Sequence, residues 1–183
     1  SLKTKVKIHI RNKKSEKIIE SDKVLMAVGV VGNIQNLGLE GLGILTTDSD
    51  SIKINRFNKT NIDNIYAIGD VCGPPWLAHI ASAQGHIAVE HAFGFKPIPI
   101  DYSNIPGCTY SQPQVGSLGM TEEKAIQAGY EIQIGRFSFQ ASGKAMAVGN
   151  TIGFVKLIFD KQYGELLGAH IVGAEATEMI AEL

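Results

Sequence analysis

One carboxylate stands out for its setting. The apolar run Ile65-Tyr66-Ala67-Ile68 stops at Gly69-Asp70, and Pro74-Pro75 then leads into Trp76, the expected start of a helix. In an open α/β sheet, ligands bind beyond the carboxyl ends of strands, so an acid placed there faces the crevice. Gly69 lets a ligand approach the backbone, and the Asp70 carboxylate suits a sugar or ribitol hydroxyl better than a phosphate. Asp is equally favoured in turns and caps, so residue logic alone leaves both roles open. The amides of Trp76, Leu77, Ala78 and His79 would form the first helical turn. Its unsatisfied donors and partial positive charge stabilise a ligand that carries or develops negative charge.

Other reactive residue types point to less. His79 has the chemistry of a base, but a first-turn His is more often a surface or packing residue. His9, His86, His91 and His170 show no spacing with Cys, Asp or Glu that makes a metal site. Cys72 and Cys108 are 36 positions apart, neither a metal-ligand pair nor a close redox pair, and fit a reducing compartment. No metal and no catalytic residue is assigned within the chain.

The elements that would position these groups follow from periodicity. Lys5–Ile10 and Glu16–Glu20 flank a polar turn and read as a β-hairpin with one solvated face. Val24–Val31, VLMAVGVV, reads as a strand covered on both faces, as does Ile62–Ile68. Between them, residues 32–51 form a long irregular connection punctuated by Gly38, Gly41 and Gly43. A helix is expected from about Trp76 to Phe93, with proline before it and Gly94 as a stop. Ala81, Gly85, Ala88 and Ala92 strip one of its faces of bulk, as for close packing on a sheet. Lys96-Pro97-Ile98-Pro99 is an extended linker.

Beyond the linker, Thr121 caps a short helix that carries Glu122 and Glu123 in its first turn and ends at Gly129. Tyr130, Ile132 and Ile134 alternate while Phe137 and Phe139 take the opposite parity, which predicts a bulge near Gly135. Gly153–Asp160 and Leu166–Val172 form an antiparallel hairpin. Residues 174–183 form a helix with no C-terminal stop signal, so the chain is expected to be a piece of a larger protein.

Composition sets the outer limits. The 183 residues are 44% hydrophobic and 19% charged with a net charge of −1, which excludes disorder of the whole chain. Residues 1–23 carry a net +5, but Lys5 and Lys7 alternate with Val6 and Ile8, so a solvated strand face accounts for them better than a nucleic-acid-binding arm. No stretch approaches the roughly 18 apolar residues of a membrane span, and no signal peptide is recognisable at the start. Neither nucleic acid nor membrane is expected as a partner.

Several segments together carry a resemblance. Thr60 through Asp70 looks like the second flavin-binding motif of the FAD-dependent pyridine nucleotide-disulfide oxidoreductases: a Thr, a short spacer, an apolar strand, then Gly-Asp. Trp76-Leu77-Ala78-His79 with Gly85 is similar to the stretch found in the family's dihydrolipoamide-oxidising members. Ile105-Pro106, Tyr110 through Val115 and Gly119 through Glu123 resemble the entry to its interface domain. Gly135 through Phe139 and Gly168 through Ala176 continue the match, which covers nearly the whole chain.

The resemblance implies an α/β remnant of FAD/NAD(P)-binding domains followed by an α+β interface (dimerisation) domain with an antiparallel sheet. Residues 1–35 would end the NAD-binding domain, 36–101 would be the C-terminal part of the FAD-binding and central domain, and 102–183 a truncated interface domain. Gly69 and Asp70 would hold the FAD ribitol, while Trp76, Leu77, Ala78 and His79 would line the flavin pyrimidine edge. Gly29 would approach the nicotinamide or ribose of NAD, although the family's usual Gly-Arg-x-Pro-Asn is here Gly29-Val30-Val31-Gly32-Asn33. The implied activity is oxidation of protein-bound dihydrolipoamide, with electrons passing through FAD to NAD. The implied partners are a second copy, docked through 102–183, and a lipoyl-bearing acyltransferase of a 2-oxoacid dehydrogenase complex. The implied location is the bacterial cytoplasm or the mitochondrial matrix. The sequence contains neither a G-x-G-x-x-G loop nor a counterpart of the redox cysteine pair or the acid-base His-Glu pair, so the 183 residues alone are expected to be inactive. Alternatives are a sister reductase of mercuric-ion or glutathione type, or a non-catalytic dimerisation module.

Overall fold

The computed structural model describes residues 5–183, so the first four residues of the segment 1–35 lie outside the described residues. The chain divides into two compact units, one ending at Pro99 and the other running Ile100–Leu183.

In the first unit, β1 (Val6–Arg11) and β2 (Glu16–Ser21) form an antiparallel hairpin in register from Val6↔Ser21 to Arg11↔Glu16. Asn12 closes the turn, its Oδ1 accepting the Lys14 and Ser15 amides at 2.8 Å each. The expected single solvated face becomes two, with Val6, Ile10, Ile18 and Ile19 all exposed. A lone two-stranded ribbon buries little, and the sheet holds no third strand among the described residues.

The two expected buried strands of this unit do not form. Val24–Val31 takes no ladder, and Leu25 and Val28 are 91% and 88% exposed. Ile62–Ile68 contributes only the isolated bridge Lys59↔Tyr66. A strand is defined by its neighbours' hydrogen bonds, and a parallel neighbour must come from a distant crossover. Neither run finds one among the described residues. The 32–51 connection instead holds the short helix α1 (Leu39–Leu42) and a bridge Thr46↔Ile52. Ile44, Ile52 and Ala67 form a small core, with Ile34, Leu39, Ile54, Ile62, Ile65 and Val71 packed around it. The helix α2 spans Ala78–Ala92 and buries Ile80, Gln84, Ile87 and Ala88.

The second unit is a five-stranded antiparallel sheet. Its strands are β3 (Gly107–Thr109), β4 (Gln114–Gly119), β5 (Ile132–Ser138), β6 (Gly153–Asp160) and β7 (Leu166–Gly173), in the order β3-β4-β7-β6-β5. Helices α3 (Glu122–Gln127), α4 (Gly143–Ala147) and α5 (Ala176–Met179) accompany it. Thr121 caps α3 as expected, its hydroxyl accepting the Lys124 amide at 3.2 Å. The β6–β7 turn is pinned by the buried Asp160, whose carboxylate accepts the amides of Gln162 and Tyr163 at 3.2 and 3.0 Å. Phe139, Ala145, Ala169, Ile171, Ala176 and Ile180 make the core.

No bulge occurs at Gly135. β5 pairs with β6 without a break from Ile132↔Asp160 to Ser138↔Phe154, and the register shift lies instead at Ile158/Phe159 against β7. The parity change has a simpler origin. Phe137 points to the face opposite Ile132 and Ile134, and Phe139 lies beyond the strand, buried in a 3₁₀ turn. The expected terminal helix is α5 followed by a 3₁₀ turn, Ile180–Glu182.

A charged group ties α3 to the sheet. Glu122 Oε1 accepts from Lys156 Nζ and Arg136 Nη2, each at 2.9 Å, and these two bonds hold its carboxyl below the usual range. Burial, then the nearby Lys156 charge, lowers the His170 pKa against the weaker pull of Glu122, and His170 Nδ1 is buried with no hydrogen-bond partner. Among the described residues, no helix is long and apolar enough to cross a membrane.

Candidate functional site

The segment that carries Asp70 is built from Thr60 onward. The buried Thr60 hydroxyl donates to Ile65 O at 3.0 Å and accepts the Ile62 amide at 3.1 Å, so one side chain closes the turn before the apolar run. Thr60 N–H also donates to Ile65 O, and Ala67 N–H to Asn58 O. Tyr66 Oη lies 2.7 Å from His91 Nδ1 on the last turn of α2, and Phe57 stacks on the same imidazole at 4.6 Å between centroids. These contacts fasten the 57–67 segment to the end of the helix.

The run ends in a 3₁₀ turn, Gly69–Cys72, rather than in the tip of a paired strand. Gly69 has φ +75°, a conformation that strains any residue with a Cβ. Its N–H donates to Gln84 Oε1 at 2.7 Å, and a Cβ placed on it would meet Ala81 Cβ at 3.4 Å. Ile68 Cδ1 lies 3.5 Å from where a Cβ on Gly85 would be. The first half of the stripped face of α2, Ala81 and Gly85, therefore faces Gly69 and the Ile68 side chain rather than a sheet. Ile52 N–H donates to Val71 O at 2.7 Å and secures the far side of the turn. Cys72, which closes the turn, is partly buried, and desolvation pushes its thiol up to about 11, so it is held as an inert neutral thiol.

Asp70 is exposed, and its carboxylate meets no hydrogen-bond or ion-pair partner among the described residues. The 3₁₀ turn that carries it packs against α2 through Gly69. The helix itself begins later than its proline lead predicts. Leu77 is extended, at φ −133° and ψ 131°, and serves as the N-cap, while its N–H donates to Pro75 O at 3.1 Å. The Leu77 carbonyl accepts the Ile80 and Ala81 amides. Trp76 and Leu77 therefore stand outside the first turn, and the amides left facing out are those of Ala78 and His79, both exposed residues. The N-cap side chain is apolar and makes no capping bond, so nothing in the helix itself covers these donors.

Gly29 lies apart from this group. It is exposed, with φ +119°, and a Cβ placed on it would meet no atom within 4 Å, so its backbone is open to close approach. Its neighbour Gly32 is the one that packs: a Cβ there would stand 2.8 Å from Asp50 O and 3.3 Å from Val71 Cα. Sequence reasoning missed Gln84. A lone amide in the middle of the small-residue stripe is a legible signal, because a buried polar side chain must have a hydrogen-bond partner. Among the described residues, no cluster of three or more His, Cys, Asp or Glu could hold a metal ion.

The arrangement offers a free carboxylate acceptor on one element and free backbone donors at the amino end of the adjoining helix. Such a donor set fits a ligand that presents hydroxyls together with an electron-rich edge.

Comparison with known proteins gives the same direction. The family description "Pyridine nucleotide-disulphide oxidoreductase" matches residues 2–85, and "Pyridine nucleotide-disulphide oxidoreductase, dimerisation domain" matches residues 105–183. A dihydrolipoyl dehydrogenase of Rhizobium etli is 55% identical over 163 residues, which are 88% of this chain and 34% of that protein. One from Zymomonas mobilis is 55% identical over 157 residues, 85% of this chain and 34% of that protein. Among solved structures, LpdA from Mycobacterium tuberculosis superposes with a TM-score of 0.84 at 25% identity, covering 95% of this chain and 39% of its own. The HOCl-induced flavoprotein disulfide reductase RclA from Escherichia coli gives a TM-score of 0.85 at 26% identity, covering 96% of this chain and 40% of its own. The chain thus spans about a third of the length of the curated relatives it matches. From its first unit to its antiparallel sheet, the chain belongs to the pyridine nucleotide-disulphide oxidoreductase family.

Proposed function

We propose that this chain is the C-terminal part of a flavoprotein disulfide oxidoreductase that oxidises protein-bound dihydrolipoamide and passes electrons through FAD to NAD. The free Asp70 carboxylate beside the uncapped start of α2 is the observation that carries the reading. Asp70 accepts hydrogen bonds from the ribitol hydroxyls, with Gly69 admitting the ligand close to the backbone. The Ala78 and His79 amides face the flavin pyrimidine edge, where reduction builds negative charge that the helix start stabilises. Trp76 and Leu77 flank that edge as apolar neighbours. When bound, the flavin supplies the two-electron redox chemistry, and the protein's part is to place and tune it. The open backbone of Gly29 is suited to nicotinamide or ribose.

We assign residues 1–35 to the end of an NAD-binding domain, 36–101 to the FAD-binding and central part, and 102–183 to the interface domain. That last segment pairs with a second copy about a two-fold axis. The lipoyl group arrives on an acyltransferase of a 2-oxoacid dehydrogenase complex. Two unpaired cysteines, one of them inert, support a reducing interior, the bacterial cytoplasm or the mitochondrial matrix.

The names of the relatives favour the lipoamide substrate over a sister reductase: eight curated dihydrolipoyl dehydrogenases stand at 42 to 55% identity, above the 26% of RclA. Assaying the full-length protein with dihydrolipoamide, glutathione disulfide and mercuric ion tests this. NAD⁺ reduction by dihydrolipoamide is expected. Turnover of either other substrate without it would contradict the reading.

A further inference from the structure

We propose that Gln84 is the positioning residue that sets the Gly69-Asp70 turn against α2 and so fixes the carboxylate relative to the helix's free amides. The inference rests on the reading of Asp70 as a flavin ligand. It starts from a buried side chain that the family resemblance does not use. Gln84 is 4% exposed and its Oε1 accepts the Gly69 N–H at 2.7 Å. Gly69 is the first residue of the 3₁₀ turn and Asp70 the second. The same helix that grips Gly69 through Gln84 presents the Ala78 and His79 amides five to six residues earlier, about 9 Å along its axis. One rigid element therefore carries both halves of the cradle: it exposes the donors and, through one amide oxygen, it orients the acceptor.

The contact is placed where it controls direction. Gly69, at φ +75°, has no side chain to lock it, and Ala81 bounds the turn only sterically, its Cβ lying 3.4 Å from where a Cβ on Gly69 would stand. The hydrogen bond from Gly69 to Gln84 is directional, so it sets the orientation of the 68–69 peptide and, one residue on, of Asp70. The other fastenings lie elsewhere: Tyr66 to His91 holds the far end of the helix, and Ile52 N–H to Val71 O holds the far side of the turn, which leaves Gln84 as the hydrogen bond that joins Gly69 to α2.

The test uses the full-length protein, stripped of flavin and titrated with FAD while absorbance and flavin fluorescence are followed. Gln84→Met keeps the length and removes the acceptor, Gln84→Glu keeps the acceptor, and Gln84→Asn falls one methylene short of Gly69. Ile87→Ala is the packing control, a buried apolar residue on the same helix. Gln84→Met is expected to weaken FAD binding about tenfold, the factor that one hydrogen bond of positioning commands. Gln84→Glu should restore binding to within about threefold, and Ile87→Ala should lower the melting temperature but leave FAD affinity in place. If Gln84→Met is recovered only as aggregate, Gln84→Asn reads the same loss. Binding that is unchanged in Gln84→Met or Gln84→Asn, or weakened as much by Ile87→Ala, overturns the positioning role. Loss of binding in Asp70→Ala without loss in the Gln84 variants overturns this inference alone. Unchanged binding in both sets removes the Asp70 reading and this inference with it.

Discussion

The two units are built on opposite principles. In Ile100–Leu183 every strand finds its hydrogen-bonding neighbours inside the unit, and the unit's own helices and 3₁₀ turns cover the core on the sheet. In the unit that ends at Pro99, apolar runs of similar length join no ladder among the described residues, and the small core is assembled mostly from turns. Antiparallel pairing can be closed by a short turn, as residues 161–165 do, whereas a parallel neighbour needs a crossover of a dozen or more residues. Self-sufficiency is therefore a property of topology and not of hydrophobicity.

The contrast between the units is steepest at the sheet. Ile158 is 0% exposed, and Ile158→Ala in the 183-residue chain should cost roughly 2–5 kcal/mol in urea denaturation followed by circular dichroism. A loss below about 1 kcal/mol would mean that the sheet is not a packed body.

Acid should weaken the same unit. The folded pKa of His170 lies below its ordinary 6.5, so the unfolded chain binds the extra proton and stability falls as pH drops below about that value. Glu122, whose carboxyl is lowered by Lys156 and Arg136, adds a second loss as pH falls from its ordinary 4.5 through its folded value. Melting temperatures across this range should fall in two stages, and His170→Phe should remove the first. A flat profile between pH 7 and 5 would contradict the partly buried imidazole with its unpartnered Nδ1.

At the other extreme, Val28→Thr in the first unit should change the stability of the 183-residue chain by no more than about 0.5 kcal/mol, because its side chain is already in water. A larger loss by the same denaturation would show that the run is packed.

Sequence reading reaches the two units unequally for the same reason. The hairpin of Gly153–Asp160 with Leu166–Val172 and the Thr121 cap are legible because their determinants are local, whereas the full antiparallel sheet is implied only by the resemblance, since β4 pairs with the distant β7. Val24–Val31 and Ile62–Ile68 read as strands because periodicity reports burial in a sheet without reporting whether the neighbours exist. The proline pair places the helix start two residues early, because proline marks where a helix is permitted, while the extended Leu77 and its bond to Pro75 decide where it begins. At the candidate site, Gly69 and Asp70 are legible from their setting. The partner of Gln84 is not, because its role depends on a contact fifteen residues away that no local pattern encodes.

On the proposed reading, the Asp70 carboxylate, free of any protein partner among the described residues, accepts hydrogen bonds from the ribitol hydroxyls of a flavin. The most direct test is the flavin content of full-length Asp70→Ala, measured as the ratio of flavin to protein absorbance after gel filtration. The variant is expected to fold and pair as before but to elute largely colourless and regain its yellow only at raised FAD concentration. A variant that elutes with the same stoichiometric flavin as the parent would contradict it.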